Sequence, residues 1–374
     1  MKVTALEQLN QLTETDWKSL NQSVSPLLDW HFLNDLELSH CVSGETGWTP
    51  HHLVVGELEG VLPSYLKTHS WGEFVFDWNW AEAYERNGLD YYPKLVTTVP
   101  FTPITSDKLV SQTLQQSAVI ESAIAHCESH GIHSWHLLFC DPMDNTPPNL
   151  FERHTVQFHW FNRDYETFDD FLATFTARQR KNVRKERQSI VNQGIEITHY
   201  LGGDITDELL DYFLLAYQSS YVKRGHQPHL NRDFFVRLLF NLPDKVLLVM
   251  ASREGVFVAS AFYIIDENTL YGRYWGCSEE VNNLHFELCY YQGIEYCIEH
   301  GLAVFNPGAQ GEHKIKRGFE PVTTYSYHWI AHLGFRDAIK NYCQQEREQL
   351  AVYKEQCAQL LPFKQHTSVE GEPT

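Results

Sequence analysis

The sequence predicts a mixed α/β (α+β) protein made of two similarly folded domains in tandem. Three observations support this class: a β–α–β unit late in the chain, a repeat of the same element order in the first half, and a basic helix between the two. The β–α–β unit covers residues 269–305, where an aromatic strand, an amphipathic helix and a short apolar strand follow one another. Such a crossover joins parallel strands, and ligands bind open α/β sheets at the carboxyl ends of their strands.

The repeat appears when the chain is shifted by 195 residues, because the first half then meets the second without a gap. At this offset Glu59-Gly60 falls on Glu254-Gly255, and Trp80 falls on Trp275. Hairpin, aromatic strand, helix and strand then follow in one order in both halves. Duplication explains such a shared order better than coincidence does.

The elements of the first half follow from hydrophobic periodicity and turn residues. Glu59-Gly60 is a hairpin signal between two apolar runs, and Gly131 closes a helix. We predict helices over residues 14–21, 29–38 and 110–130, and strands over residues 51–58, 61–67, 73–80, 133–140 and 155–162. These elements form a first domain over residues 1–163.

The second half shows the same alternation of strand and helix patterns. We predict strands over residues 195–200, 245–252, 256–265, 269–277, 303–305 and 323–331, and helices over residues 206–221, 232–240, 285–300, 312–317 and 335–360. With the basic helix before them and the long helix after them, these elements form a second domain over residues 164–374. A dense polar run, residues 306–314, follows the strand at 303–305 and therefore lies at a carboxyl end.

The composition indicates a globular protein with a real core, since 43% of its residues are hydrophobic and 14% are aromatic. A formal charge of −19 argues against broad binding to nucleic acid or to anionic membranes, although it leaves room for a local basic patch. We expect no membrane span and no signal peptide. The eight cysteines contain no Cys-x-x-Cys pair, so we interpret them as reduced thiols of a cytoplasmic protein and predict no metal site.

The helix predicted over residues 168–192 has an apolar side and a strongly basic side. Its cations are Arg178, Arg180, Lys181, Arg184, Lys185 and Arg187. One interpretation is a docked helix with a solvated basic face. The other is a phosphate-binding surface for tRNA or a nucleotide, with Arg180, Arg184 and Arg187 as its contacts.

Strands, a helix, a strand, a short helix ending in Lys-x-x-Arg-Gly-Phe and a last strand resemble the second half of a Gcn5-related N-acetyltransferase (GNAT) domain. The chain also resembles the FemAB-like family of peptidoglycan biosynthesis/recognition proteins, predicted N-acyltransferases related to the Fem ligases. The stretches that carry the resemblance are Gly47-Trp48-Thr49-Pro50-His51-His52-Leu53, Phe76-Asp77-Trp78-Asn79-Trp80-Ala81, Tyr271-Gly272-Arg273-Tyr274-Trp275-Gly276-Cys277, His285-Phe286-Glu287-Leu288-Cys289-Tyr290-Tyr291-Gln292 and Gly308-Ala309-Gln310-Gly311-Glu312-His313-Lys314.

The resemblance implies two tandem GNAT-like domains and an N-acyl- or aminoacyltransferase that forms an amide. The acceptor would be the amine of a cell-wall precursor or of a small amino-acid-like molecule. The alternative is a non-catalytic module that recognises a cell-wall fragment or an amino-acid ligand. We expect no tightly bound cofactor, and the oligomeric state stays open.

The acyl donor stays open among aminoacyl-tRNA, an acyl carrier protein and acyl-CoA. In acetyl-CoA enzymes of this superfamily, a glycine-rich loop before the helix that follows the central strand holds the pyrophosphate. Here that loop, residues 278–284, contains no glycine and carries Glu279 and Glu280. This composition disfavours ordinary CoA binding, as in the Fem ligases, but a CoA enzyme with an atypical loop remains a further alternative.

Amide formation needs a base for the amine, polarisation of the acyl carbonyl, and alignment of the two. In the resembled superfamily, backbone N–H groups of the central strand polarise the carbonyl, and that strand is residues 269–277 here. The catalytic candidates are Glu312, His313, His285 and Glu287. The substrate-binding candidates are Tyr271, Arg273, Trp275, Gln310, Lys314, Asp77, Trp78 and Trp80. The structural alternative for Glu312, His313 and Lys314 is a capped surface helix. For Arg273 it is an arginine paired with a structural acid, and for Asp77, Trp78 and Trp80 it is core packing.

We further predict that Arg273, Gln310, Glu312 and His313 line one pocket with Tyr271 and Trp275. Strands 269–277 and 303–305 should be neighbours, and strand alternation would place Tyr271, Arg273 and Trp275 on one face. Glu312 would then be the base, and Arg273 would bind a carboxylate or phosphate of the acceptor.

Overall fold

A computed structural model describes residues 1–20, 25–111, 114–309 and 311–364. Its strands are β1 (Val3–Leu6), β2 (Trp48–Pro50), β3 (His52–Val55), β4 (Gly60–Leu62), β5 (Ser64–Lys67), β6 (Lys94–Thr97), β7 (Ser134–Cys140), β8 (Phe151–Phe161), β9 (Ile195–Leu201), β10 (Val246–Arg253), β11 (Val256–Ile265), β12 (Thr269–Cys277), β13 (Val304–Asn306) and β14 (Glu320–Ile330).

Helices cover both faces of the larger of the two sheets that these strands form. They are α1 (Glu14–Leu20), α2 (Trp30–Leu38), α3 (Trp78–Arg86), α4 (Gln116–Ser129), α5 (Phe168–Ala173), α6 (Ala177–Asn192), α7 (Asp207–Val222), α8 (Arg232–Asn241), α9 (Leu284–Phe286), α10 (Gln292–Glu299) and α11 (Leu333–Gln359). A π-helical turn, Glu287–Tyr291, joins α9 to α10, and a 3₁₀ turn, Glu312–Arg317, precedes β14.

Eleven strands form one mixed sheet in the order β2-β5-β6-β7-β14-β8-β13-β12-β11-β10-β9, while β1, β3 and β4 form a smaller sheet. Two parallel pairs are embedded in the large sheet, β6 with β7 and β12 with β13. A helical crossover joins each pair, α4 in the first half and the α9–α10 segment in the second. The predicted β–α–β unit is therefore confirmed, and a counterpart exists in the first half.

The two halves of the chain are interleaved in the large sheet. β14, which comes late in the chain, lies between β7 and β8 of the first half, with Tyr327 opposite Leu137 and Tyr325 opposite His154. β8 in turn pairs with β13 of the second half. The boundary between residues 163 and 164 stays a prediction, since strands from both of its sides alternate in one sheet.

The predicted strand over residues 73–80 is wrong, and with it the equivalence of Trp80 and Trp275. Trp80 lies on α3, whereas Trp275 lies on β12. Gly72 adopts a φ of +82° and Phe74, two residues later, a φ of +60°, and these left-handed conformations interrupt an extended run. The two hairpins at Glu59-Gly60 and Glu254-Gly255 do occur, but the first belongs to the smaller sheet.

A buried ion network explains why this segment folds back instead of extending. Lys94 on β6 is fully buried, and its ammonium donates to Glu73 Oε2 at 2.8 Å, to Ser70 Oγ at 2.8 Å and to Asp77 Oδ2. Tyr91 donates to the same oxygen of Asp77 at 2.6 Å. A buried charge must be paired and hydrogen-bonded, so the network draws residues 70–77 over β6.

The two acids of this network share one cation and differ in their pKa. Burial would raise the pKa of Asp77, but the charge of Lys94 outweighs it and holds that pKa well below its usual range. Burial raises the pKa of Glu73 to about 7, against the opposing pull of Lys94. One buried cation balances one carboxylate, so we assign the charge to Asp77 and the proton to Glu73.

Replacing Glu73 by glutamine is expected to remove a pH dependence of stability. Because the pKa of Glu73 rises from 4.5 to about 7 on folding, its contribution is full below pH 4.5 and is lost as the pH rises towards 7. The wild-type free energy of unfolding should therefore lose about 1–3 kcal/mol from this group across that window, while Glu73→Gln should not. Urea denaturation at several pH values measures the difference. A variant at exposed Glu128, Glu128→Gln, is the control, and an unchanged slope in Glu73→Gln would contradict the assignment.

Candidate active site

A cavity of about 550 Å³ opens where the parallel strands β12 and β13 separate. They pair only from Thr269 to Tyr271 on β12, opposite Val304 to Asn306 on β13. Pro307 follows and has no N–H with which to continue the ladder. The cavity therefore lies at the carboxyl ends of two parallel strands, as the sequence predicted.

A β-bulge in β12 faces this cavity. Tyr263 of β11 lies opposite Gly272 and Phe262 lies opposite Tyr274, so Arg273 is the extra residue. A bulge leaves its extra residue outside the regular ladder and re-aims the neighbouring side chains. The bulge therefore makes backbone groups available at the cavity and reverses the alternation of side chains beyond it.

Polar side chains from the helical crossover and from the turn after β13 line the cavity. Tyr290 and His313 are hydrogen-bonded, with 2.7 Å between the Tyr290 hydroxyl and Nε2. The ring of His285 packs edge-on against Trp275 at 5.2 Å and against Tyr290 at 5.5 Å. The Lys314 ammonium, which is buried, donates to the carbonyl of Gly308 at 2.8 Å. The site thus combines two imidazoles, a phenol and an amine.

A π-helical turn positions Tyr290 within this group. π turns occur mostly as single inserted turns and often lie at functional sites. Here the hydroxyl of Tyr263 donates to the carbonyl of Leu288 inside the turn.

The electrostatic field of the cavity is positive. Burial lowers the pKa of His285 to about 4, and the nearby His313, Lys314, Arg317 and Arg224 add to the effect. Burial also lowers the pKa of Lys314 to about 7, and burial together with Lys314 and Arg317 lowers the pKa of His313. Both imidazoles are therefore neutral at pH 7, while Lys314 is present in both its charged and its neutral form.

The structure confirms part of the predicted pocket. Arg273, Trp275 and His313 of that prediction line one cavity, and the candidates His285 and Lys314 line it too. Gln310 lies outside the described residues.

Tyr271 does not share a face with Trp275, so this expectation is wrong. The bulge lies between the two residues, and Tyr271 is buried with its hydroxyl donating to Asp266 Oδ2 at 2.6 Å. Arg273 lines the cavity, but its guanidinium donates to the carbonyl of Phe101 at 2.6 Å and to Thr102 Oγ1 at 3.1 Å. Arg273 therefore joins the second half of the chain to the first.

The two glutamates proposed as bases lie outside this cavity. Glu312 begins the 3₁₀ turn on its exposed side and accepts a hydrogen bond from Tyr353 of α11 at 2.7 Å. Glu287 is buried on the opposite side of the crossover, where it accepts from Gln292 at 2.8 Å and pairs with Arg187 at 3.1 Å. The expectation that Glu312 shares a pocket with Arg273 is wrong, because the tight turn directs it towards α11.

The candidates of the first half separate into core and cavity residues. Asp77 is a buried partner of Lys94, and Trp80 is a core residue with Arg153 5.2 Å from its ring. Trp78 is half-buried and lines a second, aromatic cavity. Asp77 and Trp80 therefore lie in the core, as the core-packing alternative predicted.

The basic helix is only partly available to a ligand. Arg187 is bound to Glu287 and Glu295, and Arg184 pairs with Asp169 at 2.8 Å. Arg180 donates to the carbonyl of Phe175 at 3.4 Å. The exposed cations that form no ion pair with any described residue are Arg178, Lys181 and Lys185.

A groove of about 910 Å³ separates α6 from the loop before α9 and from the 3₁₀ turn. Lys185, Asn283 and Lys316 line it, and His313 lines both the groove and the cavity. The two acids of the loop are paired, Glu279 with Arg253 at 2.8 Å and Glu280 with Lys223 at 3.4 Å. The case against a pyrophosphate therefore rests on the missing glycines rather than on the charge.

Sequence reasoning missed Arg224, which follows α7 and lines the cavity. The Gly225 beside it, at a φ of +75°, marks a turn, but nothing in the local pattern indicates that this turn reaches β12. Within the ranges that the structure describes, no group of three or more metal-ligating side chains occurs. In the same ranges, no helix has the length and apolar character needed to cross a bilayer.

Comparisons with solved structures show where this fold occurs. The C-terminal domain of a putative lysylphosphatidylglycerol synthetase from Agrobacterium fabrum is similar, with a TM-score of 0.55, 9% identity, and coverage of 88% of this chain and 94% of that one. L-PGS from Bacillus licheniformis is similar with a TM-score of 0.51 at 10% identity, covering 91% and 97%. A conserved protein of unknown function from Bacteroides thetaiotaomicron is similar with a TM-score of 0.52 at 12% identity, and the match covers 88% of this chain and 99% of that one. At these identities the likeness shows the fold alone.

The sequence itself identifies the family. A comparison with curated proteins finds no match. Residues 8–365 match the FemAB-like family, described as peptidoglycan biosynthesis/recognition. The parallel pair and the helical crossover in each half agree with the predicted tandem GNAT-like fold. The chain therefore belongs to the FemAB-like family.

Proposed function

We propose that the protein is a GNAT/Fem-type transferase that forms an amide on an amine acceptor in the cavity between β12 and β13. The observation that carries this proposal is the bulged strand beside a separated parallel pair, with Lys314, His285 and His313 around the opening. The family and the fold support it. The donor and the acceptor are part of the proposal.

The positive field of the cavity prepares the amine for attack. The guanidinium charges of Arg317 and Arg224, which help to lower the pKa of His285, act in the same sense on an alkylammonium bound beside it and favour the neutral amine. Lys314, whose pKa is near 7, is then the group best matched to receive the proton. The neutral imidazoles of His285 and His313 accept or donate hydrogen bonds that hold the amine in place.

The reaction follows from this arrangement. The nitrogen lone pair adds to the acyl carbon and forms the C–N bond, while the carbonyl π electrons move to oxygen. The N–H of the bulged Arg273 donates to that oxyanion, and the positive field stabilises it further. The proton from nitrogen passes to Lys314. Collapse of the oxyanion breaks the bond to the donor, and the leaving oxygen or sulfur takes the proton that Lys314 received, which returns the lysine to its neutral form.

The groove beside α6 is the place for the donor, because His313 connects it to the cavity. Aminoacyl-tRNA, acyl carrier protein and acyl-CoA all carry phosphate groups, which suit the exposed cations of α6. A screen of the purified protein against these three donors and a pooled amine library tests the function, with mass spectrometry of new amides as the readout. Binding of an amine without any product would favour the non-catalytic recognition module.

Reversing the exposed cations of α6 is expected to weaken tRNA binding. A triple variant, Arg178→Glu with Lys181→Glu and Lys185→Glu, should lose about tenfold or more in affinity and show a shallower salt dependence. Filter binding at several salt concentrations measures both. Arg187 is left intact, because its ion pair with Glu287 is part of the core.

The matched control combines Lys2→Glu, Arg86→Glu and Lys340→Glu, which changes the net charge equally at exposed positions elsewhere. Equal losses in both triple variants would show that only net charge matters. If the wild-type protein does not bind tRNA, the basic side of α6 is a solvated face and aminoacyl-tRNA is excluded as the donor.

A further inference from the structure

A second cavity, of about 590 Å³, lies between the two halves of the chain and adjoins the candidate active site. Arg224 and Ala309 line both cavities, so the two are neighbours at this point. The volume falls within the range of about 300–1,000 Å³ that is usual for small-molecule sites.

Aromatic rings form a large part of the walls. They are Trp48, Trp71, Phe74, Phe76, Trp78, Phe101 and Tyr221. The rings of Trp71 and Trp78 lie 5.1 Å apart at 58°, and Phe101 stacks on His229 at 4.7 Å and 11°. Trp71 is 49% exposed and Phe76 is 53% exposed, although large aromatic side chains are normally buried. Two such exposures at one cavity indicate a surface that a ligand covers.

Hydrogen bonds and ion pairs hold the backbone segment that carries these aromatic walls in place without a ligand. Ser70, Glu73 and Asp77 belong to the same segment as Trp71, Phe74, Phe76 and Trp78, and all three bind the buried ammonium of Lys94. Ser70 also contacts the hydroxyl of Tyr92 at 2.8 Å. The aromatic walls are therefore pre-organised, which lowers the entropic cost of binding.

The charged groups of the lining favour an anionic group on the ligand. Among the described lining residues there is no carboxylate, although the chain carries a net charge of −19. The guanidinium of Arg224 is exposed and has no ion pair within the described ranges. Burial lowers the pKa of His229 to about 4, with Lys67 and His69 adding to the effect, so that this imidazole is neutral. An anionic group is the natural partner of Arg224.

Resting on the proposed function, we infer that the acceptor is an α-amino acid with an aromatic side chain, which occupies this second cavity. The three groups around such an acceptor's α-carbon match three features that meet at Arg224. The amine lies towards His313 and Lys314, the carboxylate pairs with Arg224, and the ring packs among the aromatic walls.

A sugar ring fits the lining less well. Its hydroxyl groups need hydrogen-bond partners on several sides. Two hydroxyl side chains of the lining are already engaged, and the exposed His226 and Gln227 come from a single turn. Ser70 is bonded to Lys94 and Tyr92, and Thr46 donates to the carbonyl of Ser43 at 3.0 Å. An unpaired buried hydroxyl is costly, whereas an aromatic ring needs no such partners.

Calorimetric titration of the full chain, without any acyl donor, tests the inference. L-Phenylalanine and L-tyrosine should bind saturably. Phenethylamine, which lacks the carboxylate, and L-alanine, which lacks the ring, should bind about tenfold more weakly or worse. N-Acetylglucosamine is the competing probe and should not bind.

Two variants assign the site. Trp71→Ala and Arg224→Gln should each raise the Kd for L-phenylalanine by about tenfold or more, and both residues are exposed enough to spare the fold. Phe240→Ala, at a residue that is 84% exposed, and Arg86→Gln are the controls and should leave the Kd unchanged. Absence of saturable binding, equal binding of L-alanine, indifference to both variants or a preference for N-acetylglucosamine would each overturn the inference.

The outcome is separable from that of the proposed function. Saturable binding that depends on Arg224 supports the aromatic amino-acid site even when no donor yields an amide. Conversely, amide formation on a non-aromatic amine, with no binding of L-phenylalanine, overturns this inference and leaves the transferase activity standing.

Discussion

Replacing Lys314 by methionine is expected to lower kcat/KM by about 100- to 10,000-fold, the usual effect of removing a general base. Methionine keeps the length and apolar stem of lysine but can neither accept a proton nor carry a charge. The assay uses whichever donor and amine give an amide in the screen. Lys340→Met, on the exposed side of α11, is the control and should keep full activity.

The pH profile separates catalysis from a structural role. If neutral Lys314 takes the proton, wild-type kcat/KM should rise with pH and level off above about 7, because the pKa of this amine is lowered to about 7 by burial. The residual activity of Lys314→Met should lack that limb. Lys314 also holds the turn after β13 through the carbonyl of Gly308, so a purely structural loss would lower activity equally at all pH values. That result would contradict the base assignment.

Replacing Lys94 by methionine is expected to reduce the free energy of unfolding by about 3–5 kcal/mol. The ammonium is the shared partner of Glu73 and Asp77, and its loss leaves a buried carboxylate without a counter-charge. Urea denaturation measures the change, with Lys340→Met as the exposed control. A loss of this size is a large part of the total stability of an ordinary domain, which is about 5–15 kcal/mol.

A compensated variant tests the cause. Adding Asp77→Asn and Glu73→Gln to Lys94→Met removes the uncompensated charge, so part of the lost stability should return. If the triple variant is no more stable than Lys94→Met, poor packing rather than charge explains the loss. A change below about 1 kcal/mol in Lys94→Met would contradict the buried network itself.

The fold class was predictable from the sequence because local patterns determine it. The hairpin at Glu254-Gly255 and the crossover between β12 and β13 follow from period and turn residues alone. The segment carrying Trp80 was not predictable in this way, because the ion network with Lys94 overrides its apolar alternation. The position of β14 between β7 and β8 also has no local signal.

In the candidate site, too, some features follow from local sequence patterns and others depend on tertiary structure. His285, His313 and Lys314 could be placed together because the crossover and the turn after β13 bring them to one edge of the sheet. Tyr271 was misplaced because one inserted residue in β12 reverses the alternation, and a bulge has no reliable signature in an aromatic strand. Arg224 arrives from a distant helix end, so only tertiary structure reveals it.

The late strand β14 also sets the order in which the protein can fold. Ser326 on β14 hydrogen-bonds to the carbonyl of Arg153, 173 residues earlier in the chain. On the ribosome, β7 and β8 therefore emerge long before the strand that separates them, and their facing edges stay open for pairing with the wrong partner. Closing so long a loop is slow, and neither half can complete its sheet alone. The last step of folding is thus expected to lock both halves, and the cleft between them, into place together.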